Sequence, residues 1–258
     1  MIWTREFINR NYGTEVYRHK DLPLYVTNQF NFFRCLEFKD TYYNRTASVL
    51  FNGNLRECKG RYSSIFPNQK LSYWANSSKT AMAEIKKHGA ENNIITFWAY
   101  DDGTSTFPTL SDQEPLIIVD ARKHGLQPLF NKLDNNKSIT EEEKIIVDEI
   151  MQYKPDCVAY DSQAYKDGEN YLFFEKGFKK LALREVRLRF SRTEGGNHEK
   201  IICALNSDYS PVLEAYGKFF APKCRVKMDQ TYLRSEEYAQ RKCIYEESLQ
   251  KWETIQSH

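Results

Sequence analysis

The sequence predicts a mixed α+β fold, and three observations support this class. Predicted strands and helices alternate irregularly along the chain, whereas a regular alternation would predict a parallel α/β sheet. Neither Gly-x-Gly-x-x-Gly nor a Walker-type loop occurs in the 258 residues, so a doubly wound dinucleotide-binding fold is not expected. Aromatic residues make up 14% of the chain, and disordered proteins contain few of them. We therefore expect one large domain, or one domain with appendages, that buries a real core.

The overall charge and the cysteines constrain the function only loosely. A formal net charge of +2, from 37 basic and 35 acidic side chains, is too balanced to require a nucleic-acid or membrane partner. The six cysteines include no Cys-x-x-Cys pair, and metal sites or disulfide frameworks normally show tighter spacing. We interpret them as free or buried thiols in a reducing compartment, and we expect no metal.

The N-terminal residues and the hydropathy pattern predict where the protein works. The charged residues Arg5 and Glu6 come before any apolar region forms, unlike in a signal peptide. No apolar run approaches the ~18 residues that a membrane helix needs. We therefore expect a soluble, cytoplasmic protein without a membrane partner.

The chain is organised around residues 60–88. Arg61 lies in a turn-rich segment, and the apolar run at 71–75, Leu-Ser-Tyr-Trp-Ala, predicts a half-buried strand. The polar residues at 76–78, Asn-Ser-Ser, prefer the position just before a helix, where a side-chain oxygen accepts an unpaired backbone N–H. A helix is predicted over 79–88, and Gly89 suits its left-handed C-terminal cap. The order is therefore a loop with an arginine, a strand with aromatics and a helix with one carboxylate.

That carboxylate is Glu84, and its spacing leaves two interpretations open. Met82 and Ile85 share a face of the helix, and Ala81 lies one turn before Ile85, which marks the predicted buried stripe; Glu84 lies at the edge of this stripe. It is either an ordinary surface glutamate or a carboxylate directed into a cleft whose other wall carries Arg61 and Tyr73.

The remaining strands are predicted from short runs of β-branched and aromatic residues. Ser162 follows one of them where it meets a loop, so it either forms the turn or presents its hydroxyl beside a cleft. The predicted strands are 94–100, 116–119, 157–160, 170–174 and 181–190, while 126–136 is predicted as a loop and 28–38 as either a short helix or two strand pieces.

A second helix is marked at both ends. Thr140 and Glu143 form a capping box at its start, and Pro155 ends it. Its predicted buried stripe pairs Ile146 with Ile150 and Val147 with Met151.

Two blocks of this sequence resemble the RES domain, a family named for an arginine, a glutamate and a serine. The first block is Gly60-Arg61, followed by Leu-Ser-Tyr-Trp-Ala and then by Lys-Thr-Ala-Met-Ala-Glu-Ile. The second block, at 156–175, carries Ser162, a glycine-containing turn, Asn170 and an apolar strand with Leu-Phe. The two blocks match independently, and the resemblance covers roughly residues 55–190.

The resemblance implies a split, mostly antiparallel sheet similar to that of ADP-ribosyltransferases, with NAD⁺ in the cleft between its halves. It also implies cleavage of NAD⁺, often by the toxic half of a toxin–antitoxin pair, so an antitoxin or other inhibitory protein is an implied partner. Carried over by motif, the implied catalytic residues are Arg61, Tyr73, Glu84 and Ser162, and the implied NAD⁺-binding residues are Arg61, Tyr62, Tyr73 and Asn170.

The resemblance also divides the chain. We predict an N-terminal layer of the same domain at 1–54, a RES-like NAD⁺-binding catalytic core at 55–192, and a C-terminal appendage at 193–258. The appendage is expected to be largely helical, because 229–256 reads as one or two charged helices.

The residue types suit this chemistry on physical grounds. A guanidinium binds a pyrophosphate through paired, charged hydrogen bonds, and a positively charged nicotinamide ring stacks on an aromatic side chain such as Tyr73 or Trp74. Breaking the bond between ribose C1′ and the nicotinamide nitrogen develops positive charge on the sugar, which a carboxylate at Glu84 would stabilise. Nicotinamide departs as a neutral molecule, so the reaction requires no general acid.

Three functions stay open from the sequence. ADP-ribose would be transferred to water or phosphate, or else to RNA, DNA or protein through the same site, with the arginine patch from Arg184 to Arg192 recruiting RNA or DNA. The third function is a non-catalytic module that only holds a nucleotide.

Overall fold

Strands outnumber helices in the computed structural model, which describes residues 2–8, 14–27, 30–42, 47–60, 62–90, 94–101, 115–123, 125–189, 209–214 and 217–222, with the single positions 234, 236 and 239. The strands are β1 (Trp3–Ile8), β2 (Thr14–His19), β3 (Leu24–Thr27), β4 (Asn31–Glu37), β5 (Arg56–Glu57), β6 (Lys70–Ala75), β7 (Ile94–Asp101), β8 (Leu116–Asp120), β9 (Cys157–Asp161), β10 (Glu169–Phe174), β11 (Leu181–Arg189), β12 (Tyr209–Glu214) and β13 (Gly217–Pro222). The helices are α1 (Ala47–Asn52), α2 (Ser78–Lys87), α3 (Leu126–Asp134), α4 (Glu141–Met151) and α5 (Glu175–Phe178), with a 3-10 turn at Asp40–Tyr42.

The chain divides into two compact units that interleave along the sequence. The first unit comprises Met1–Phe33, Gly53–Glu84 and Asp101–Leu181, and the second comprises Arg34–Asn52, Ile85–Tyr100 and Ala182–His258.

The first unit is built on a mostly antiparallel sheet. Its strands lie in the order β1-β2-β3-β8-β9-β10-β6, and β5 also pairs with β6. Phe33 of β4 pairs with Ala75 of β6. The pairs are antiparallel except for β8 and β9, which run parallel. The predicted mixture of helices with a mostly antiparallel sheet is therefore confirmed, and the predicted N-terminal layer supplies strands to this sheet.

The described part of the second unit is also rich in strands. β4, β7 and β11 are neighbours in that order, and β12 pairs with β13 as an antiparallel hairpin. The thiol of Cys35 lies 3.2 Å from the hydroxyl of Thr96, and the rings of Phe51 and Phe97 pack with centroids 6.4 Å apart. Arg192 and most of the predicted helices at 229–256 lie outside the described residues.

One face of the first unit's sheet, which we call the helical face, carries α3 and α4. Residues paired directly across antiparallel strands point to the same side of a sheet. Asn170 pairs with Ala75 and Tyr160, and Leu172 pairs with Tyr73, so these side chains share the helical face. The buried core on this face consists of Tyr62, Phe66, Leu71, Leu126, Leu129, Phe130, Leu133, Val147, Ile150, Val158, Tyr160, Leu172 and Phe174 with their smaller neighbours.

The loop predicted at 126–136 is wrong, because α3 occupies most of this segment. Its four buried residues follow the i, i+3, i+4, i+7 pattern of a helix that covers a core. Pro128 lies in the first turn, where a missing backbone N–H costs no helical hydrogen bond. The polar residues that suggested a loop are half-buried at the end of α3 or exposed just after it: Asn131, Lys132 and Asp134 are half-buried, and Asn135 and Asn136 are exposed. The buried residues of α3 are Leu126, Leu129, Phe130 and Leu133.

The capping box of α4 is confirmed, but its predicted buried stripe is partly wrong. Thr140 Oγ1 accepts from the backbone N–H of Glu143 at 3.2 Å, and the Thr140 N–H donates to the Glu143 carboxylate at 2.8 Å. Val147 and Ile150 are buried, whereas Ile146 is 40% exposed. A helix that covers one face of a sheet buries only a narrow stripe, and Ile146 lies about 100° around the axis from Val147.

The predicted strand and helix around Glu84 are confirmed as β6 and α2, with one change. Of the predicted buried stripe, Ala81 is buried, whereas Met82 and Ile85 are half-buried. Thr80 is the other buried residue of α2. Glu84 lies one turn after Thr80, on the same side of the helix.

The other face of the first unit's sheet is packed with aromatic rings. Phe32 meets Tyr171 and Phe173 edge-on, with ring centroids 5.0 and 4.9 Å apart. Phe30 packs against Tyr25 and Tyr171 at 5.9 and 6.1 Å. Segment 28–38 is thus a strand, β4, where it is described from Asn31 to Glu37.

Candidate active site

Three of the predicted site residues meet around one carboxylate in the first unit. Ser162 Oγ donates to Glu84 Oε1 at 2.5 Å, and Asn170 Nδ2 donates to the same oxygen at 2.7 Å. We call Glu84, Ser162 and Asn170 the Glu84 cluster. Its members are separated by up to 86 positions in the sequence, so the fold rather than local sequence brings them together.

Both hydrogen bonds fall on the same oxygen of Glu84. Among the residues that the structure describes, none donates to Oε2. A carboxylate that accepts charged hydrogen bonds on one oxygen is held in one orientation while its other oxygen keeps its lone pairs. The arrangement therefore fixes Glu84 and leaves Oε2 able to accept from a hydroxyl or to face a positive charge.

The hydroxyl of Ser162 makes three hydrogen bonds, one as donor and two as acceptor. Besides donating to Glu84, its oxygen accepts from the backbone N–H groups of Ala164 and Tyr165 at 3.1 and 3.2 Å. Its own backbone N–H donates to Gly168 O at 2.9 Å. Ser162 thus forms the turn after β9 and bonds Glu84 with its hydroxyl, while its predicted place beside a cleft stays a prediction. Its proton and lone pairs are already used, so the geometry suits orientation of Glu84 better than nucleophilic attack.

Asn170 reaches Glu84 because of the strand register. Asn170 lies in β10 opposite Ala75 and Tyr160, with its side chain on the helical face. The next residue of β10 on this face is Leu172, and it lies opposite Tyr73. Tyr73 is half-buried, so this face offers an aromatic ring one pleat along from the Glu84 cluster.

Tyr160 links the environment of Tyr73 to that of Glu84. Burial raises the pKa of the Tyr160 phenol well above its usual value, and the nearby Asp134 raises it further. Tyr73 and the Glu84 carboxylate both add to this rise. Tyr160 therefore stays neutral at the pH of cells and forms an uncharged wall beside the cluster.

Tyr62, predicted to bind NAD⁺, lies in the core of the helical face. Only 1% of its surface is exposed. Its hydroxyl donates to Asp134 Oδ1 at 2.7 Å, and its ring packs against those of Tyr73 and Phe130 with centroids 5.6 and 6.0 Å apart. Burial and the neighbouring Tyr160 and Asp134 raise its pKa well above the usual value. The described contacts make Tyr62 a support for the Tyr73 ring.

The structure does not describe the side chains of the basic residues that were predicted for the site. Arg61 lies outside the described residues, as do Arg192 and the side chains of Arg184, Arg187 and Arg189. Their proposed contacts with pyrophosphate or an acceptor stay predictions.

Thr80, Asn76 and Gly168 were not predicted as site residues, although they join the elements that carry the cluster. Thr80 Oγ1 donates to Asn76 Oδ1 at 2.9 Å, and Asn76 Oδ1 also accepts from the Glu169 N–H at 3.2 Å. The available signal was the position of Thr80 one helical turn before Glu84.

A buried ionic group anchors the start of β10 on the opposite face of the sheet. Arg122 bonds Asp120 at 2.8 Å and Glu169 at 2.8 Å, and Tyr171 donates to Glu169 at 2.6 Å. Burial opposes the charge on Arg122, but Glu169 and Asp120 outweigh it and raise the pKa of Arg122. Since Glu169 precedes Asn170, this group fixes the backbone from which Asn170 projects.

No protein-family model matches the chain, and no curated protein matches it. Within the described residues, no group of three or more His, Cys, Asp or Glu side chains is arranged to hold a metal ion. The helices in that same part of the chain include none with the length and apolarity needed to cross a bilayer.

Proposed function

We propose that this protein is an NAD⁺-cleaving enzyme related to the RES domain, which breaks the nicotinamide–ribose bond and transfers ADP-ribose to water or phosphate. The observation that carries the proposal is the Glu84 cluster. Ser162 and Asn170 hold one oxygen of Glu84 and leave the other available, as stabilisation of a positively charged sugar requires.

The proposed reaction begins with departure of nicotinamide. The bond between ribose C1′ and the ring nitrogen breaks, and its electron pair moves to the nitrogen, which neutralises the pyridinium. The positive charge then lies on C1′ and the ring oxygen of the ribose. Glu84 Oε2 stabilises this charge or accepts from a ribose hydroxyl. Water or phosphate attacks C1′, and water loses its proton to solvent.

The remaining residues are assigned by their chemistry. Tyr73 would stack against nicotinamide or the ribose, since its ring lies on the same face as Asn170. Tyr62 would hold the Tyr73 ring through the contact between them. Arg61 would bind the pyrophosphate with its planar fork of donors. The mostly antiparallel sheet is compatible with the split sheet of ADP-ribosyltransferases, which is the finer fold assignment we propose.

The proposal extends to the biological role. Unrestrained consumption of NAD⁺ would arrest a cell, so an enzyme of this kind fits the toxic half of a toxin–antitoxin pair. An inhibitory partner protein would then cover the Glu84 cluster, and the protein would act in the cytoplasm.

Nicotinamide release by the purified protein tests the proposal. NAD⁺ is incubated with the wild type, with Glu84→Gln and with Glu175→Gln, in the presence and absence of phosphate. Glu175 is a matched control, since it is a partly exposed glutamate of the first unit that is paired with Lys179. We expect release by the wild type and the control, and a loss of about 10²–10³-fold for Glu84→Gln. Equal rates for the two variants would contradict the proposal.

The same experiment distinguishes the other functions. Label from adenine-labelled NAD⁺ on RNA, DNA or protein would identify a macromolecular acceptor. Tight binding of NAD⁺ without any turnover would identify a nucleotide-binding module.

A further inference from the structure

Helix α2 meets the segment between β9 and β10 at two successive turns. Thr80 and Glu84 are four residues apart and lie on the same side of the helix. Glu84 bonds Ser162 and Asn170, at the two ends of that segment. Thr80 is fully buried and contacts the same segment at Gly168. The helix is therefore positioned by a steric contact at one turn and by the Glu84 hydrogen bonds at the next.

The contact at Gly168 leaves no room for a side chain. A Cβ at this position would lie 2.7 Å from Thr80 Cγ2 and 2.9 Å from Thr80 Oγ1, with Tyr165 O at 3.0 Å. The two distances to Thr80 are shorter than a carbon atom tolerates, so a side chain here would displace Thr80, and α2 with it where the Thr80 side chain is held in place. Gly168 O also accepts from the Ser162 N–H at 2.9 Å. The residue that contacts Thr80 thus also holds Ser162.

Asn76 fixes the orientation of the Thr80 side chain. Thr80 Oγ1 donates to Asn76 Oδ1 at 2.9 Å, and Asn76 makes two backbone contacts with Glu169, accepting at 3.2 Å and donating at 2.9 Å. The Thr80 N–H is capped by Ser77 Oγ at 3.1 Å. The methyl group of Thr80 is therefore held against Gly168 rather than free to rotate.

We propose that Thr80 and Gly168 are positioning residues, whose contact sets the distance between Glu84 and its two partners. A shift of α2 at Thr80 carries Glu84 with it, because one helical turn of about 5.4 Å separates them. The activity part of this inference rests on the proposed function, whereas the geometric part is tested without any turnover.

The inference is tested by adding a methyl group at Gly168, removing the side chain of Thr80, and measuring nicotinamide release. Gly168→Ala is expected to lower kcat for nicotinamide release by about 10²-fold, as a misplacement near 1 Å does, with KM unchanged. Adding Thr80→Ala removes the two nearest of the three atoms that the new methyl group meets and leaves only Tyr165 O, at 3.0 Å, so the double variant should regain most of the lost rate. A double variant as slow as Gly168→Ala, or slower, would overturn the proposal. Thr27→Ala is the matched control, since Thr27 is equally buried in β3 of the same unit.

A second variant covers the case in which Gly168→Ala does not fold. Thr80→Ala removes the methyl group that meets Gly168, together with the hydroxyl that bonds Asn76 and Ser77. We expect kcat to fall by about 5-fold or more, the rate equivalent of at least one neutral hydrogen bond. Thr80→Val keeps the shape of the side chain and loses only the hydroxyl, so it should restore part of this loss. Wild-type kcat in Thr80→Ala would contradict the role of Thr80.

A double-mutant cycle tests the positioning independently of catalysis. The coupling between Glu84→Gln and Ser162→Ala in the free energy of unfolding is measured in the wild-type, Thr80→Ala and Gly168→Ala/Thr80→Ala backgrounds. We expect the coupling to be present in the wild type, weakened by Thr80→Ala, which removes the contact, and largely kept in the double variant, whose new methyl group fills the space. If this pattern appears while the wild type releases no nicotinamide, the proposed function fails and the positioning contact stands. Coupling that is unchanged by Thr80→Ala overturns the positioning contact itself.

Discussion

Replacing Ser162 with alanine separates orientation of Glu84 from the chemistry that we propose for Glu84. The substitution removes the 2.5 Å hydrogen bond to Glu84 Oε1 and leaves the 2.7 Å bond from Asn170. A hydrogen bond to a charged group contributes about 1.5–3 kcal/mol. If that energy is used in the transition state, kcat falls by about 10- to 100-fold, at 1.36 kcal/mol for each factor of ten. The loss should be smaller than for Glu84→Gln, because the carboxylate itself remains.

The assay is steady-state nicotinamide release over a range of NAD⁺ concentrations, which yields kcat and KM separately. Thr140→Ala is the control, since Thr140 also accepts from a local backbone N–H but belongs to α4. Removing such a cap costs about 1 kcal/mol of stability and should leave kcat unchanged. Wild-type kcat in Ser162→Ala would refute the orienting role, and a loss equal to that of Glu84→Gln would make Ser162 a reacting group instead.

Three further predictions concern the site, the core and the response to acid. Asn170→Ala removes the second hydrogen bond to Glu84, so nicotinamide release should slow by about 10-fold or more, and an unchanged rate would contradict the role of Asn170. Leu129 is 2% exposed between α3 and the sheet, so Leu129→Ala creates a cavity there and should lower the free energy of unfolding by about 2–5 kcal/mol. Urea denaturation measures this free energy, and a change below about 1 kcal/mol would contradict the packing of α3. Burial acts to raise the pKa of Asp120, but the contacts of Asp120 with Arg122 outweigh burial and lower this pKa. The ionised Asp120 therefore stabilises the fold fully at pH values above the unfolded pKa of about 3.9. This stabilisation is lost as the pH falls through the lower pKa of the folded protein. Unfolding curves measured between neutral pH and the acid range should therefore have a shallower acid slope for Asp120→Asn than for the wild type, and equal slopes would contradict this assignment.

The elements nearest the site were predictable because their signals are local. The capping box at Thr140 and the polar residues before α2 specify helix starts through hydrogen bonds within a few residues. The run at 71–75 has the residue types of a half-buried strand. Local sequence therefore defined the elements that carry Tyr73 and Glu84.

Other features depend on partners distant in the sequence. Leu126, Leu129 and Leu133 have a clear helical period, but the polar residues that end α3 are typical of a loop and led to the wrong prediction. Ile146 was assigned to the buried stripe because the direction of the sheet is not contained in the helix sequence. The pairing of Asn170 with Ala75, which brings Asn170 to Glu84, follows from sheet register and is likewise invisible in either segment alone.

The supporting contact between Thr80 and Gly168 illustrates the same limit at the scale of single atoms. A glycine in a turn has a common local explanation in its backbone freedom. At Gly168 the reason is instead a side chain from another element, 88 positions earlier in the sequence, that occupies the space of a Cβ. Sequence alone suggested the candidate site residues, and the structure adds which residues hold them.

The most direct test of the central claim is mass spectrometry of the products after the wild-type protein is incubated with NAD⁺. The Glu84 cluster predicts free nicotinamide together with ADP-ribose, or with phosphorylated ADP-ribose when phosphate is present, and neither product from Glu84→Gln. Intact NAD⁺ after incubation with folded wild-type protein, with phosphate and with candidate macromolecules, would contradict the claim that this cluster cleaves the nicotinamide–ribose bond.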